Sequence, residues 1–251
     1  MTGVEGRVAL VTGAGRGIGR RTAEILTERG ATVMCVARSK SELASLGLDY
    51  TVADLGTPEG CQLAVDETEK RLGPVEIFVC NHGLGSAHEK VIWEQDPDLW
   101  RETMRVNLDG PFYLSRLIVG RMVEQRYGRV VFTSSTAGLV AEHAGSAYNS
   151  SKHGLLGLMR SVAVDGGAFG ITSNAVLPGW VRTEMAERSA RQEAKNRRMT
   201  VEQIWNERAV LYPPGRVVTV DEVAEAIAFL ASEESSGISG EAIRISLGAS
   251  E

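Results

Sequence analysis

Seven short apolar runs alternate with longer amphipathic stretches from one end of this chain to the other. That alternation limits the fold more than any other feature. "RVALVTG" (7–13) is valine-rich without polar alternation, as a strand buried on both faces requires. "GIGRRTAEILTERG" (17–30) has helical spacing and stops at a glycine. Strand-like runs recur at 31–37, 49–55, 75–80, 128–135, 171–177 and 241–247, and helical stretches at about 58–72, 96–125, 146–168 and 219–232. Connections between neighbouring parallel strands are right-handed. The repetition therefore predicts an α/β fold, a doubly wound parallel sheet of about seven strands with helices on both faces. No linker, repeat or low-complexity segment interrupts it, so one domain over 1–251 is expected. Only 180–215 breaks the rhythm.

A chain of 251 residues can bury such a sheet without disulfides. Cys35, Cys61 and Cys80 are isolated and lack any zinc-ligand spacing. A net charge of −5 gives nucleic acid no electrostatic hold. The start, "MTGVEGRVALVTG", lacks a basic leader region, and no apolar run reaches membrane-spanning length. A cytoplasmic protein that binds no nucleic acid, membrane or metal is expected.

"TGAGRGIG" (12–19) ends the first strand and opens the first helix. Its glycines, Gly13, Gly15, Gly17 and Gly19, do not follow G-x-G-x-x-G, but the physics is shared. Glycine permits the tight turn and lets backbone approach a pyrophosphate, and the free N–H groups of a helix start favour the anion. In this position the loop predicts a Rossmann-like dinucleotide site. An acid at the end of the second strand usually holds the NAD ribose. Here Ala37 occupies that place and Arg38 follows, with Arg16 inside the glycine loop. Two guanidiniums suit a 2′-phosphate, so NADP(H) is favoured and NAD(H) remains possible. The bland alternative leaves both arginines solvated. Asp54 either accepts from the adenine amine or caps the next turn.

With these features in place, the chain resembles the short-chain dehydrogenase/reductase family over essentially its whole length. The resemblance rests on "TGAGRGIG" at 12, "DL" at 54, "CNHG" at 80, "VNLDG" at 106, "SSTAG" at 134, "YNSSK" at 148 and "LPGWVRTEM" at 177, in order. It implies a catalytic tetrad of Asn107, Ser135, Tyr148 and Lys152. It also implies that Gly13, Gly15, Arg16, Gly17, Ile18, Gly19, Arg38, Asp54, Leu55, Asn81, Gly83, Pro178, Gly179, Val181 and Thr183 bind the cofactor beside Tyr148 and Lys152. A homotetramer or homodimer is implied too. Two motifs depart from the family pattern. "CNHG" stands for the usual "NNAG", which puts His82 near the cofactor or substrate wall, and "SLGAS" (246–250) stands for "DGG".

The chemistry of the tetrad follows from residue type. A phenol titrates near pH 10 and must come down to act as a base near neutrality. Lys152 lies four residues after Tyr148, so a helix sets its cation over the same face, where it favours phenolate. The helix N-terminus acts in the same direction. Ser135, at the end of the fifth strand, would hold the substrate oxygen. The resemblance gives Asn107 the placing of a proton-relay water. A solvated Tyr–Lys pair is the ordinary reading of "YNSSK" alone. A Ser–His hydrolase is disfavoured, since no G-x-S-x-G occurs.

The expected activity is hydride transfer between a nicotinamide cofactor and a secondary alcohol or ketone, with Tyr148 as acid/base. A 3-oxoacyl-thioester reductase is the narrower alternative. A non-catalytic dinucleotide-binding regulator is the alternative from another class, disfavoured because all four tetrad residues are present. The substrate is a small molecule. His82, Ser135, Leu139, His143, Trp180 and Met185 are the expected pocket, with Val140, Ala144, Trp205 and Leu211 as further apolar candidates. The resemblance makes 180–215 a mobile lid. Its basic residues recognise an acidic substrate, or they form solvated i,i+4 pairs such as Glu184/Arg188 and Glu187/Arg191.

Overall fold

In the computed structural model, which describes residues 3–249, the seven runs form one parallel sheet. Met1 and Thr2 of the opening stretch, Ser250 of "SLGAS" and Glu251 lie outside the described residues. The strands are β1 (Val8–Thr12), β2 (Thr32–Ala37), β3 (Asp49–Val52), β4 (Ile77–Cys80), β5 (Gly128–Thr133), β6 (Ile171–Pro178) and β7 (Ala242–Ile245). Their order is β3-β2-β1-β4-β5-β6-β7. β1 pairs with β2 from Val8↔Thr32 and with β4 from Ala9↔Ile77.

Neighbouring side chains on a strand point to opposite faces. Ala9, Val11, Val33, Cys35, Ile77 and Val79 face one layer, where α1 (Gly17–Glu28) and α9 (Val220–Leu230) cover them. Leu10, Met34, Val36, Phe78, Val130 and Phe132 face the other. There α3 (Pro58–Leu72), α5 (Gly110–Gln125) and α6 (Ser146–Gly166) supply Val65, Leu114, Ile118 and Met159. Both faces are dry, which explains the continuous valine runs. Each fully buried large side chain contributes roughly 1.5–3 kcal/mol. All three cysteines are buried in these layers. Burial pushes the Cys35 and Cys61 thiols up to about 12, so neither is a nucleophile at neutral pH.

The single helix expected over 96–125 is broken. It is α4 (Pro97–Met104), a π turn (Arg105–Asp109) and α5. The cause is Pro111, which has no N–H to donate to the Asn107 carbonyl four residues back. The Gly110 N–H bonds instead to the Arg105 carbonyl, five residues back. A short helix that the apolar periodicity does not reveal, α2 (Lys40–Ala44), follows β2. Its only signal is Ser39 with Glu42 three residues on, and Ser39 does accept from the Glu42 N–H. Residues 180–215 hold two helices packed on each other, α7 (Glu184–Arg197) and α8 (Val201–Val210), each begun by a threonine cap.

Candidate active site

The strand order reverses between β1 and β4, so their outgoing loops part and open a crevice at the carboxyl edge. A cleft of about 500 Å³ occupies it. One wall is the glycine loop. Gly13, at φ +65°, sits in the left-handed region, which other residues enter at a cost. Gly19 lies under the loop: a Cβ there would stand 2.4 Å from the Gly13 carbonyl oxygen. Asn81 fastens the loop to β4, its amide donating to the carbonyl of Thr12 at 3.3 Å. Gly15, Arg16, Gly17 and Ile18 line the cleft above.

At the far end of that wall, Arg38 and Asp54 line the cleft with Leu55. Asp54 is not a simple turn cap. It accepts from the Gly56 N–H at 3.1 Å and from Arg105 at 3.1 Å. Burial works against its charged form, but these two donors outweigh it and hold the carboxyl below its usual range. Arg16 reaches two carboxylates, Glu42 on α2 at 3.0 Å and Glu184 on α7 at 2.8 Å. Glu42 therefore brings a carboxylate to the ribose end, which no local sequence signal announced.

The four tetrad candidates converge around the middle of the cleft from three places in the fold: the π turn, the end of β5 and α6. Tyr148 stands in the first turn of α6 and Lys152 one turn later. Ser135 lies two residues beyond the end of β5, where it caps a short 3-10 turn (Thr136–Gly138) by accepting from the Ala137 N–H at 3.2 Å. Its hydroxyl is also within hydrogen-bonding reach of Tyr148. Lys152 is buried, donates to the Thr133 carbonyl at 2.9 Å and places Nζ 5.6 Å from the centre of the Tyr148 ring. Burial lowers its pKa to about 8. Asn107 is buried in the π turn behind the cleft. Its amide holds Leu84 from both sides, at 2.7 and 3.0 Å, and donates to Ser151 at 3.1 Å.

The electrostatics of Tyr148 differ from the expectation. Burial pushes the phenol up to about 12; the Ser135 bond opposes this, and the charges of Glu142 and Glu89 add to it. The chain's own groups thus hold Tyr148 as a proton donor. Lys152, with Nζ 5.6 Å from the ring centre, is the chain's own cation that would steady a phenolate.

The expected substrate wall changes in composition. Ser135, Trp180 and Met185 line the cleft, with Gly83, Pro178, Gly179, Val181 and Thr183 at its floor. Leu139 and His143 do not line it and are solvent-exposed, because the turn after the 3-10 segment carries them outward. Thr136 and Glu142 stand in the cleft from that segment instead. His82 touches the cleft, but its Nδ1 lies 2.8 Å from the Thr12 hydroxyl, tying the ring to β1. Burial pushes its pKa down to about 3, so the ring is neutral. Trp205 and Leu211 are not wall residues. Trp205 is buried under Trp180, and Leu211 is exposed. Of the two ion pairs expected on the 180–215 segment, Glu184–Arg188 forms, whereas Glu187 pairs with Arg182 at 2.8 Å. Arg182 precedes the helix and reaches Glu187 across its first turn.

The residues present fit a nicotinamide dinucleotide. A backbone cradle that a Cβ would fill leads, along one continuous cleft, from two arginines to Tyr148. The sequence model described as enoyl-(acyl carrier protein) reductase matches residues 13–250. A 3-oxoacyl-[acyl-carrier-protein] reductase of Vibrio cholerae is 32% identical over 252 residues, covering 98% of each chain. Levodione reductase superposes with a TM-score of 0.93 at 30% identity, covering 97% of each chain. An actinorhodin polyketide ketoreductase with NADPH gives 0.90 at 29%, covering 97% of each chain. An NAD+-bound xylitol dehydrogenase gives 0.91 at 26%, covering 98% of this chain and 99% of its own. The protein is a nicotinamide-dependent oxidoreductase that interconverts alcohols and ketones. Likeness of this kind runs through both the cofactor cleft and the helices that complete it, and by it the chain belongs to the short-chain dehydrogenase/reductase family.

Proposed function

We propose that the protein is an NADP(H)-dependent ketone reductase or secondary-alcohol dehydrogenase in which Tyr148 moves the proton. The observation that carries this reading is the Tyr148 phenol facing the cleft beside Ser135, with the Lys152 ammonium buried below it. The nicotinamide supplies or accepts the hydride when bound. Ser135 holds the substrate oxygen against Tyr148. Tyr148 gives its proton to that oxygen as the carbonyl is reduced and takes it back when the alcohol is oxidised. Lys152 steadies the phenolate left behind, and Asn107 fixes Leu84 and the cleft loop beside them. Helices α7 and α8 act as the lid, with Trp180 and Met185 on its inner face.

NADP(H) is the preferred cofactor in this reading, because Ala37 leaves no acid at the end of β2 and Arg38 lines the cleft there. The Glu42 carboxylate at the same end is paired with Arg16, which offsets its charge. A 3-oxoacyl thioester is the second candidate substrate, favoured by the likeness to the Vibrio cholerae reductase. The assembly is a homotetramer or homodimer.

The test is a screen of neutral ketones, secondary alcohols and 3-oxoacyl thioesters with both cofactors, followed at the reduced-nicotinamide absorbance. Turnover should appear and should fall at least about 1,000-fold in Tyr148→Phe with cofactor Kd nearly unchanged, as expected for loss of the acid/base. A Tyr148→Phe variant that keeps most of its activity overturns the mechanism. Tighter binding of NAD(H) than NADP(H) overturns the role of Arg38.

A further inference from the structure

Helix α6 carries the acid/base pair, yet it begins after Gly145, which has no side chain to cap it. Its first N–H groups are met from a distant part of the chain. Glu89 Oε2 accepts from the Ala147 N–H at 2.8 Å, and Oε1 accepts from the Tyr148 N–H at 2.7 Å. Both carboxylate oxygens are therefore spent on the turn that holds Tyr148. Glu89 stands on the connection between β4 and α4, the same connection whose residues 81–87 line the cleft. Two charge-assisted bonds to a helix start are the strong form of capping.

We infer that Glu89 is a positioning residue for Tyr148: it clamps the first turn of α6 with both carboxylate oxygens. The clamp sets where the hydroxyl points, since a backbone shift of an ångström at Tyr148 is carried directly to the ring. The charges around the phenol are few. Glu142, from the loop after the 3-10 turn, has the same sign as Glu89, with Arg208 of α8 acting on it from the lid side. Lys152 opposes both from within α6. The positive end of the helix stabilises the Glu89 carboxylate, while burial raises its pKa. Burial holds the phenol in its proton-bearing form, and the charges of Glu142 and Glu89 act in the same direction.

This inference rests on Tyr148 being the acid/base, and the experiment separates the two. Glu89→Gln keeps the shape, loses the charge and keeps only one acceptor for the two N–H groups. Tyrosines labelled with 13C at Cζ are titrated by NMR with the oxidised cofactor bound, and Tyr148→Phe assigns the signal. In Glu89→Gln the Tyr148 pKa should fall by about half a unit, because the Glu89 charge adds to its rise. The high-pH limb of ketone reduction should move down with it. Amide exchange at Ala147 and Tyr148 should quicken about tenfold, and kcat should drop about 3- to 10-fold with cofactor Kd unchanged. Glu89→Ala should lose more kcat; if it does not fold, the Gln variant decides alone. A Tyr148 pKa unmoved within about 0.2 units, or unchanged exchange at both amides, overturns the inference even where Tyr148→Phe is inactive. Full turnover in Tyr148→Phe would overturn the acid/base reading itself and the inference with it.

Discussion

The two walls of the cleft are built on different principles. The glycine-loop wall is backbone. Its shape comes from the left-handed Gly13, from the Gly19 position that has no room for a Cβ, and from Asn81 bonded to Thr12. The wall supplied by residues 180–215 is side chains. Arg208 is buried at its centre, with its guanidinium 3.6 Å from the Trp180 ring centre and 4.9 Å from that of Trp205. It bonds Ser189 at 3.2 Å and Glu193 at 2.9 Å, so it ties α7 to α8 and to the end of β6. A backbone wall accepts few alternatives, because every part recognises a group that any dinucleotide carries. A side-chain wall can be rebuilt residue by residue while the reaction stays the same. The named relatives fit this contrast, differing in what they act on while sharing the sheet and the cleft.

Gly19→Ala gives the largest expected break on the backbone side. The added Cβ meets the Gly13 carbonyl and the Asn81 amide, neither of which can move without opening the loop. Cofactor affinity should fall about 100-fold or more, read by fluorescence titration. A variant that binds as the parent does would show that the wall is softer than its geometry. Arg208→Met should be smaller and of a different kind. It removes a guanidinium packed against two indoles and leaves Glu193 with Arg197 as its remaining partner. A loss of about 2 kcal/mol is expected, hence a Tm lower by about 4–8 °C. KM for substrate should rise while cofactor Kd stays within about twofold. An equal loss of cofactor binding would erase the contrast between the walls.

The smallest effect belongs to the scaffold beneath both. Thr219 and Glu222 form a reciprocal cap at the start of α9, the helix that backs the glycine-loop side of the sheet. Thr219→Ala should cost about 1 kcal/mol, visible as a Tm shift of about 2–4 °C with both ligand affinities unchanged. The Arg216 guanidinium, then the Thr219 N–H, hold the Glu222 carboxyl down to about 2. A lowered pKa stabilises the fold above the unfolded carboxylate range, and that share is lost as pH falls toward 2. Much of it is screened, since Glu222 is near the surface.

The middle of the sheet was legible because β1, β4, β5 and β6 are buried on both faces and so read as continuous apolar runs, while the edge strands β3 and β7 are only partly buried. The glycine loop and the Tyr–Lys spacing were legible for a similar reason, since each is local along the chain. The misses share the opposite property. Glu89 meets an amide 59 residues away, Glu42 meets Arg16 across 26, and Arg208 meets Glu193 across 15. Carboxylates recruited over such separations leave no periodicity or motif. The break before α5 was readable in hindsight from Pro111, whereas apolar spacing alone ran straight through it. Leu139 and His143 failed for yet another cause: nearness to a motif in sequence does not fix the direction in which a turn throws its side chains.

The crossing order of the strands also has a meaning in time. The cleft gathers residues from Gly13 to Ser189, and β7, which borders β6, comes only at Ala242–Ile245. A ribosome delivers the chain from the other end, N-terminal portions first. The glycine loop therefore emerges long before Tyr148, and Tyr148 before the helices that cover it. A nascent or truncated chain ending before β6 lacks the strand that pairs with β5 and the residues from Pro178 to Ser189 that complete the cleft.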